Sequence, residues 1–380
     1  MSDDLRIRMH HVADDVTPLP VSADLWRRGQ AARRRAQVLA VAAVVVVLAS
    51  VGGGVALWSA PDREARTASG EVPAGGAIPS RIEDVPADLP ASTDASIGRA
   101  SVAFLSPTSQ LPVLIGAQDG RYHQLDLPDG PTDAAQLVLS PDGTSLAWAN
   151  LGRIHVVDLE TGEESFFPTN DEHADVSTLA WTPSSDHLLW TGTARGGADS
   201  GGMLPIGDNE EFFNPSVLRG IPSPTGRSTA VSSPEVSDAA LFLARRGKEV
   251  ERALPTDLYP QGASTRPLGW AHDHLVVAQA YGPPGSYVED QHLVLFTSPD
   301  QPESEWTFRV LARDIPQNGV LLSLAVDLIP DLDGTSSQEL THDFGDTADD
   351  PRDVSWIIGL GVAAAIALLL GLRLLSRRLA

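Results

Sequence analysis

Two long apolar stretches lie near the ends of the chain, and short alternating runs of apolar and polar residues fill the region between them. The stretches cover residues 38–57 and 356–372, and neither contains a charged residue. Because an α-helix rises 1.5 Å per residue, about 20 residues cover the ~30 Å hydrocarbon core of a bilayer. The pattern therefore predicts two transmembrane helices, over residues 38–58 and 354–375.

Arginines flank both stretches on the sides that face away from the middle of the chain. Arginine-rich flanks stay on the cytoplasmic side, and tryptophan favours the membrane interface. We therefore expect a multi-pass plasma-membrane protein with a cytosolic basic tail (1–37), a cytosolic end (376–380) and an external middle, with Trp58 and Trp356 at the outer interface. A cleaved signal peptide fits less well, because its apolar region is 7–15 residues long and follows a short basic segment.

Two segments next to the predicted spans have the composition of linkers. Residues 59–95 are rich in Pro, Gly, Ala, Ser and acidic residues and show little periodicity. Residues 331–353 are similarly acidic and weakly apolar. Such compositions are typical of flexible or extended connections, so we predict a globular domain over residues 96–330.

Residues 137–169 show the clearest folding unit of this domain. Ser140-Pro141-Asp142-Gly143 and Thr161-Gly162 are turn signals, and short strand-like runs lie on either side of each. The predicted strands cover residues 137–139, 145–149, 154–158 and 164–167. Four antiparallel strands in just over 30 residues are typical of one propeller blade.

Weaker copies of this unit recur along the domain. They cover residues 101–127, 176–191, 230–254 and 268–311, and residues 320–329 supply a final strand or two. Turns near positions 141, 183, 234 and 272 indicate a period of about 40–45 residues, with an insertion at the glycine-rich loop 196–207. The predicted fold class is all-β, an external propeller of five or six four-stranded blades. An ordinary β-sandwich is the alternative.

The unit resembles a blade of the WD-repeat or TolB-type propeller families. The resemblance is carried by Ser140-Pro141-Asp142-Gly143, Leu146-Ala147-Trp148 and Asp158-Leu159-Glu160-Thr161-Gly162. The bacterial TolB-like branch is the better match, because the Gly-His and Trp-Asp dipeptides of eukaryotic WD repeats are missing. The tail segments 13–18 and 24–29 resemble those of actinobacterial envelope proteins. These resemblances imply a binding or scaffolding role and transfer no catalytic residue.

Charge and cysteine content narrow the classes of partner. The chain has 27 basic and 50 acidic residues, and without residues 1–37 and the last eight residues 17 basic and 45 acidic ones remain. An external surface with a net charge of about −28 should repel nucleic acid and favour cationic partners. Since the chain has no cysteine, thiolate metal sites, disulfides and cysteine nucleophiles are excluded.

Common catalytic signatures are missing from the sequence. The sequence contains no G-x-S-x-G, H-E-x-x-H, P-loop or protein-kinase pattern. Gly359, Gly361 and Ala364 imitate part of a dinucleotide fingerprint but lie inside the second predicted span. Small residues four apart in each span (Ala49 and Gly53, Gly361 and Ala365) would allow close packing of the two helices, or would simply face lipid.

Metal ligation was weighed at three places, and no metal site or cofactor is predicted. His272 and His274 would lie on one side of an extended strand, but a third ligand is not evident nearby. Residues 331–334 resemble part of a calcium-binding loop, but the register is wrong, because Glu339 lies one position before the place where such a loop has its glutamate. His10 and His11 lie in the predicted cytosolic tail.

Four tryptophans, at positions 148, 181, 190 and 270, fall at similar points of successive repeats. Core packing is the preferred interpretation, with burial of each worth on the order of 2–3 kcal/mol. An aromatic ligand cradle is the alternative.

Three classes of function follow from these patterns. The leading one is a non-catalytic, membrane-anchored external propeller that binds a protein or small ligand as a scaffold or sensor. The second is a transmembrane regulator whose tail holds a sigma factor or another cytosolic partner, although 37 residues can hardly bury a core. The third is a propeller-based hydrolase or lyase.

Overall fold

The computed structural model of the chain describes residues 70–169, 174–206, 220–313, 315 and 320–345. Within these ranges no helix combines the length and the apolar character needed to cross a bilayer. The predicted tail and both predicted spans lie outside the described residues, so the membrane topology stays a prediction.

The described residues form β-strands joined by turns and short 3₁₀ helices. The strands are β1 Ala91–Ser92, β2 Ala100–Leu105, β3 Pro112–Gly116, β4 Tyr122–Leu125, β5 Leu137–Leu139, β6 Ser145–Asn150, β7 Arg153–Asp158, β8 Glu164–Pro168, β9 Asp175–Trp181, β10 His187–Thr193, β11 Asp199–Pro205, β12 Ile221–Pro222, β13 Ser228–Val231, β14 Ser233–Ser237, β15 Ala239–Ala244, β16 Glu249–Ala253, β17 Ala263–Ala271, β18 Leu275–Gly282, β19 Asp290–Thr297, β20 Phe308–Ala312 and β21 Ser323–Leu324. The 3₁₀ helices cover Ala134–Gln136, Arg245–Gly247, Glu303–Glu305 and Val326–Leu328.

These strands build five separate sheets, which are the blades of a propeller. In chain order the blades are β1-β4-β3-β2-β21, β5-β6-β7-β8, β11-β10-β9, β12-β13-β15-β16 and β14-β17-β18-β19-β20. One strand of each blade (β21, β5, β9, β12 and β17) lines a common central cavity. The all-β propeller expectation is confirmed, with five blades. The sandwich alternative is wrong, because two stacked sheets would not surround a centre.

The last strand of the described domain closes the ring. β21 pairs antiparallel with β2, as Val102 opposes Leu324 and Ala103 opposes Ser323. Ser323 Oγ also accepts a hydrogen bond of 2.8 Å from the Leu139 backbone N–H in blade 2. The inner edge of blade 1 is therefore supplied from the far end of the domain, which fastens the ring without disulfides.

The antiparallel meander gives the propeller two different faces. We call the side of the β5–β6 and β7–β8 turns (residues 140–144 and 159–163) the turn face. The opposite side, with the β6–β7 turn and the β8–β9 connection, is called the cleft face. Both ends of the described chain meet at the turn face of blade 1, where Ala77 N–H donates to Ala117 O and Phe344 packs against Gly120.

Two features of blades 3 and 4 differ from the sequence-based prediction. The described part of the glycine-rich segment expected as a loop at 196–207 forms a turn and β11, because β11 pairs with β10 along its whole length. Ser233-Pro234-Glu235, predicted as the turn of its repeat, belongs instead to β14, which pairs with β17 and forms an edge of blade 5. The equivalent turn lies between β12 and β13, where Gly226 N–H donates to Ser223 O.

The folded domain extends past both predicted linker boundaries. Ile78 and Ile82, from the segment predicted as a flexible linker, and Leu340, from the acidic one, are buried in one apolar cluster with blades 1 and 5. The Tyr122 hydroxyl accepts a hydrogen bond of 2.7 Å from the Glu83 backbone N–H. A few apolar side chains are therefore enough to hold these two segments on the domain, because each of these side chains packs into the core.

The apolar core lies between neighbouring blades. Among the described residues, separate clusters occupy the boundaries between blades 5 and 1, 1 and 2, 2 and 3, and 4 and 5. Trp148, Trp181, Trp190 and Trp270 are all at most 5% exposed, which confirms their interpretation as core residues. The indole N–H of Trp181 donates to Val138 O, and that of Trp270 to Ile221 O, in each case across a blade boundary.

The Ser140–Gly143 turn offers a test of how blade 2 docks on blade 1. Gly143 has φ +76, and a Cβ there would lie 2.2 Å from Ala100 O; Gly226 has φ +62 and open space around it. We expect Gly143→Ala to lower the free energy of unfolding by about 2 kcal/mol, because alanine is strained at a left-handed φ and because its Cβ would force the neighbouring backbone at Ala100 to shift. Gly226→Ala should cost about 1 kcal/mol, from strain alone. Equal losses in denaturant titrations would contradict this docking.

Candidate functional site

A cleft of about 880 Å³ opens on the cleft face, between blades 2 and 3. Its walls come from the 3₁₀ helix before β5, the β6–β7 turn, the end of β8 and the start of β9. A cleft of this volume falls within the range of ligand and anchor-residue pockets. The lining residues are Thr132, Gln136, Ala149, Asn150, Leu151, Gly152, Arg153, Phe166, Pro168, Ala174, Asp175 and Val176.

The β6–β7 turn places an apolar side chain in solvent on a strained backbone. Asn150 and Arg153 face each other across a two-residue turn, and Leu151 (φ +50) and Gly152 (φ +74) both lie in the left-handed region. Such turns favour Asn-Gly or Gly-Gly, and a leucine there costs about 1 kcal/mol. Leu151 is also 80% exposed. Leu151 therefore presents an apolar side chain to solvent on a backbone conformation that costs free energy.

Phe166 is a second exposed apolar side chain at the cleft, and its neighbours hold it in position. It is 62% exposed, and the Arg153 guanidinium lies 5.4 Å from its ring centre. The His155 ring lies 6.5 Å from it, stacks on Trp148 at 5.0 Å, and bonds Glu164 Oε1 through Nδ1 at 2.8 Å. Aromatic and arginine side chains fixed in this way are typical anchors of protein interfaces.

Hydrogen bonds fix the remaining walls of the cleft. Gln136 Nε2 donates to Val176 O at 2.5 Å, and this hydrogen bond links the 3₁₀ helix before blade 2 to the first strand of blade 3. Asn150 Nδ2 donates to Asp129 O and Gly130 O at 3.1 and 3.0 Å. Since these donors are used within the domain, the wall atoms left for a ligand are chiefly apolar.

The described lining residues of the cleft offer mostly apolar contacts and a few polar groups. They include no histidine, serine or glutamate, and Thr132 Oγ1 is hydrogen-bonded to Gln136 Oε1. Nucleophilic hydrolysis needs a nucleophile within hydrogen-bond reach of a base. The charged groups at the rim, Arg153 and Asp175, suit polar contacts around an apolar centre.

The structure brings together two groups that the sequence singled out for metal binding. His272 Nδ1 lies 3.0 Å from Asp331 Oδ1, and His272 Nε2 lies 3.0 Å from Ile329 O. Asp333 Oδ1 accepts hydrogen bonds from the backbone and side chain of Thr335. Both nitrogens of His272 are therefore used in packing the end of the domain against blade 5. In the described ranges, no three acidic or histidine side chains are grouped as metal ligands.

The other residues weighed from the sequence do not converge on one site. The four tryptophans belong to three different clusters and do not form a common cradle, although Trp181 and Trp270 both line the small central cavity. His10, His11, Gly359, Gly361 and Ala364 lie outside the described residues, as do Ala49, Gly53 and Ala365. The sequence pattern did not indicate the cleft residues Leu151, Arg153 and Phe166. A leucine before Gly152 in a two-residue hairpin turn is nevertheless unusual and can be noticed in the sequence.

Comparison with known proteins does not identify the family of this chain. No protein-family model matches the chain, and no curated protein matches it. The fold is similar to TolB from Acinetobacter baumannii, with 20% identity and a TM-score of 0.37 over 60% of this chain. The match covers about half of that protein (54%).

Two further solved structures show similar likeness. One is described as putative TolB from Agrobacterium tumefaciens, with 12% identity, a TM-score of 0.28, and 56% of this chain and 88% of that chain covered. The other is the propeller domain of the Trilobed protease from Pyrococcus furiosus, with 17% identity, a TM-score of 0.27, and coverage of 50% and 61%.

Proposed function

We propose that this chain is a non-catalytic, membrane-anchored propeller outside the cell that binds a partner protein through the cleft between blades 2 and 3. The observation that carries the proposal is the pair of exposed side chains, Leu151 and Phe166, at the rim of this cleft. A small ligand inside the cleft would leave the outer side of Leu151 in water. A protein surface would cover it, and burial of an exposed leucine contributes about 1.5–3 kcal/mol.

The course of the chain supports an outward-facing cleft. Both described ends lie at the turn face of blade 1, where Gln118 Nε2 donates to Ala74 O and Phe344 packs on Gly120. If the two apolar stretches span the membrane, both connections to it leave from the turn face. The cleft then opens on the opposite face, toward partners outside the cell.

Single cysteines test both parts of the proposal, because the natural chain has none. In intact cells a membrane-impermeant maleimide should label Leu151→Cys at once and His10→Cys only after permeabilisation. A photo-crosslinker attached to Leu151→Cys or Phe166→Cys should then give one discrete protein adduct.

A matched surface position makes this experiment decisive. Val236→Cys, half exposed and outside the cleft, should be labelled from outside but give no such adduct. Phe166→Ala, made within Leu151→Cys, should lower the adduct yield several-fold. External labelling of His10→Cys would overturn the topology, and equal adducts from Val236→Cys would overturn the assignment of the cleft.

A further inference from the structure

The outer strand of blade 2 has an open edge. β8 is the last strand in the order β5-β6-β7-β8, and within the described residues it pairs only with β7. In an antiparallel pair, every second residue directs its N–H and C=O to the neighbouring strand, and the residues between direct theirs away. Because Thr169 N–H donates to Gly152 O, the residues of β8 whose backbone groups point away from β7 are Glu164, Phe166 and Pro168.

In three other blades, the described residues cover the outer edge or place charges on it. In blade 1, β1 runs beside the outer strand β4, and Ala91 opposes Gln124. In blade 5, the end of the described chain lies along the outer strand β20, where Arg309 donates to Ser336 O. In blade 4, the outer strand β16 carries two exposed glutamates. Charged side chains on an edge strand discourage pairing with another chain.

β8 instead presents an exposed phenylalanine in the middle of its open edge. Phe166 is 62% exposed, and the Arg153 guanidinium lies 5.4 Å from its ring centre. Toward the turn face the edge ends in Glu163 and Glu164, which are both exposed. An open edge with free backbone groups and an exposed apolar side chain can accept an extended segment of another protein. The acidic end of this edge favours basic side chains in that segment.

We propose that the partner protein adds an extended segment to β8 as a fifth strand of blade 2. The segment places an apolar side chain beside Phe166 and a basic side chain beside Glu163 and Glu164. Pairing ends toward the cleft face at Pro168, which has no N–H to donate, and the partner continues over Leu151. This inference rests on the proposed function, because Phe166 belongs to both surfaces.

Charge selects a basic partner over a second copy of this chain. The part of the chain between the two apolar stretches carries a net charge of about −28. Two copies of such a domain repel each other, whereas the same field attracts a basic segment.

Proline substitution tests the strand pairing, with the adduct from a photo-crosslinker on Leu151→Cys as the readout. Phe166→Pro removes both the ring and the outward N–H, whereas Phe166→Ala removes only the ring. An edge strand accepts proline where the nitrogen faces solvent. We expect severalfold less adduct from Phe166→Pro than from Phe166→Ala. Glu251→Pro, which removes an outward N–H from β16, should leave the adduct yield unchanged.

Two further measurements test the same pairing if Phe166→Pro does not fold. Amide hydrogen exchange of the purified adduct should show residues 164–168 protected relative to the free chain, and residues 249–253 unchanged. Glu163→Lys should lower the adduct yield severalfold, because it would repel the basic side chain of the partner. Glu249→Lys, on the outer strand of blade 4, should leave the yield as it is.

The outcomes separate this inference from the proposed function. Absence of any adduct from Leu151→Cys would overturn the proposed function and this inference with it. A discrete adduct that Phe166→Pro and Phe166→Ala reduce equally, with no protection of residues 164–168, would overturn strand addition alone. An adduct with twice the mass of the chain would identify a second copy and would overturn the basic partner.

Discussion

Replacing Trp270 by alanine should lower the free energy of unfolding by about 4 kcal/mol. The side chain is 1% exposed and packs in the cluster between blades 4 and 5, with the Phe242 ring 6.2 Å away. Large-to-small changes of buried aromatic residues cost about 3–5 kcal/mol, through lost burial and the cavity left behind. The loss also frees Ile221 O, which accepts a 2.9 Å hydrogen bond from the indole N–H. Denaturant titration of the full chain in micelles measures the change.

Two other aromatic substitutions separate packing from the hydrogen bond. Trp270→Phe keeps most of the apolar contact and loses the bond to Ile221 O, so a loss of about 1–2 kcal/mol is expected. Tyr287→Ala removes a ring that is 70% exposed and should change stability by no more than about 0.5 kcal/mol. If Trp270→Ala cost no more than Tyr287→Ala, the inter-blade core described above would be wrong.

The sequence predicted the repeating unit well where its turns consist of common turn residues. In blade 2 the Ser140–Gly143 and Asp158–Gly162 turns fix the register, and the observed strands agree with the predicted ones within a residue at each end. The information there is local, because a turn type is set by a few neighbouring residues. Blade 2 could therefore be recognised without knowledge of the rest of the chain.

The errors arose where pairing depends on distant segments. Ser233-Pro234-Glu235 reads as the turn of its own repeat, yet it lies in β14, which pairs with β17 in blade 5. Ile78 and Leu340 lie in weakly apolar stretches, and their burial depends on meeting blades 1 and 5. Pairing partners and burial of this kind are decided by tertiary contacts, which override local propensity.

The residues of the cleft differ in how far the sequence could have indicated them. Leu151 is conspicuous once the β6–β7 hairpin is recognised, because a two-residue hairpin turn seldom holds leucine. Arg153 and Phe166 are ordinary strand residues in the sequence, and their place at the cleft follows only from the folded structure.

Acidification should destabilise the domain through His292, by about 3 kcal/mol between pH 6.5 and pH 4. The imidazole is fully buried, its Nε2 is hydrogen-bonded to the Tyr259 hydroxyl, and burial lowers its pKa from 6.5 to about 4. Between these values the unfolded chain binds the proton and the folded chain does not, so stability falls as the pH is lowered. A shift of this size corresponds to about 3 kcal/mol, at 1.36 kcal/mol per pKa unit.

His292→Gln isolates this contribution, because the amide can accept the Tyr259 hydrogen bond and does not titrate. Burial raises the pKa of Asp327 and opposes the effect at the acidic end, but that group is present in both proteins and cancels in the comparison. We expect the stability difference between wild type and variant to shrink steadily from pH 7 to pH 4.5. A difference that is independent of pH would mean that His292 is protonated as easily in the folded chain as in the unfolded one, and that its burial beside Tyr259 does not exclude the charged form.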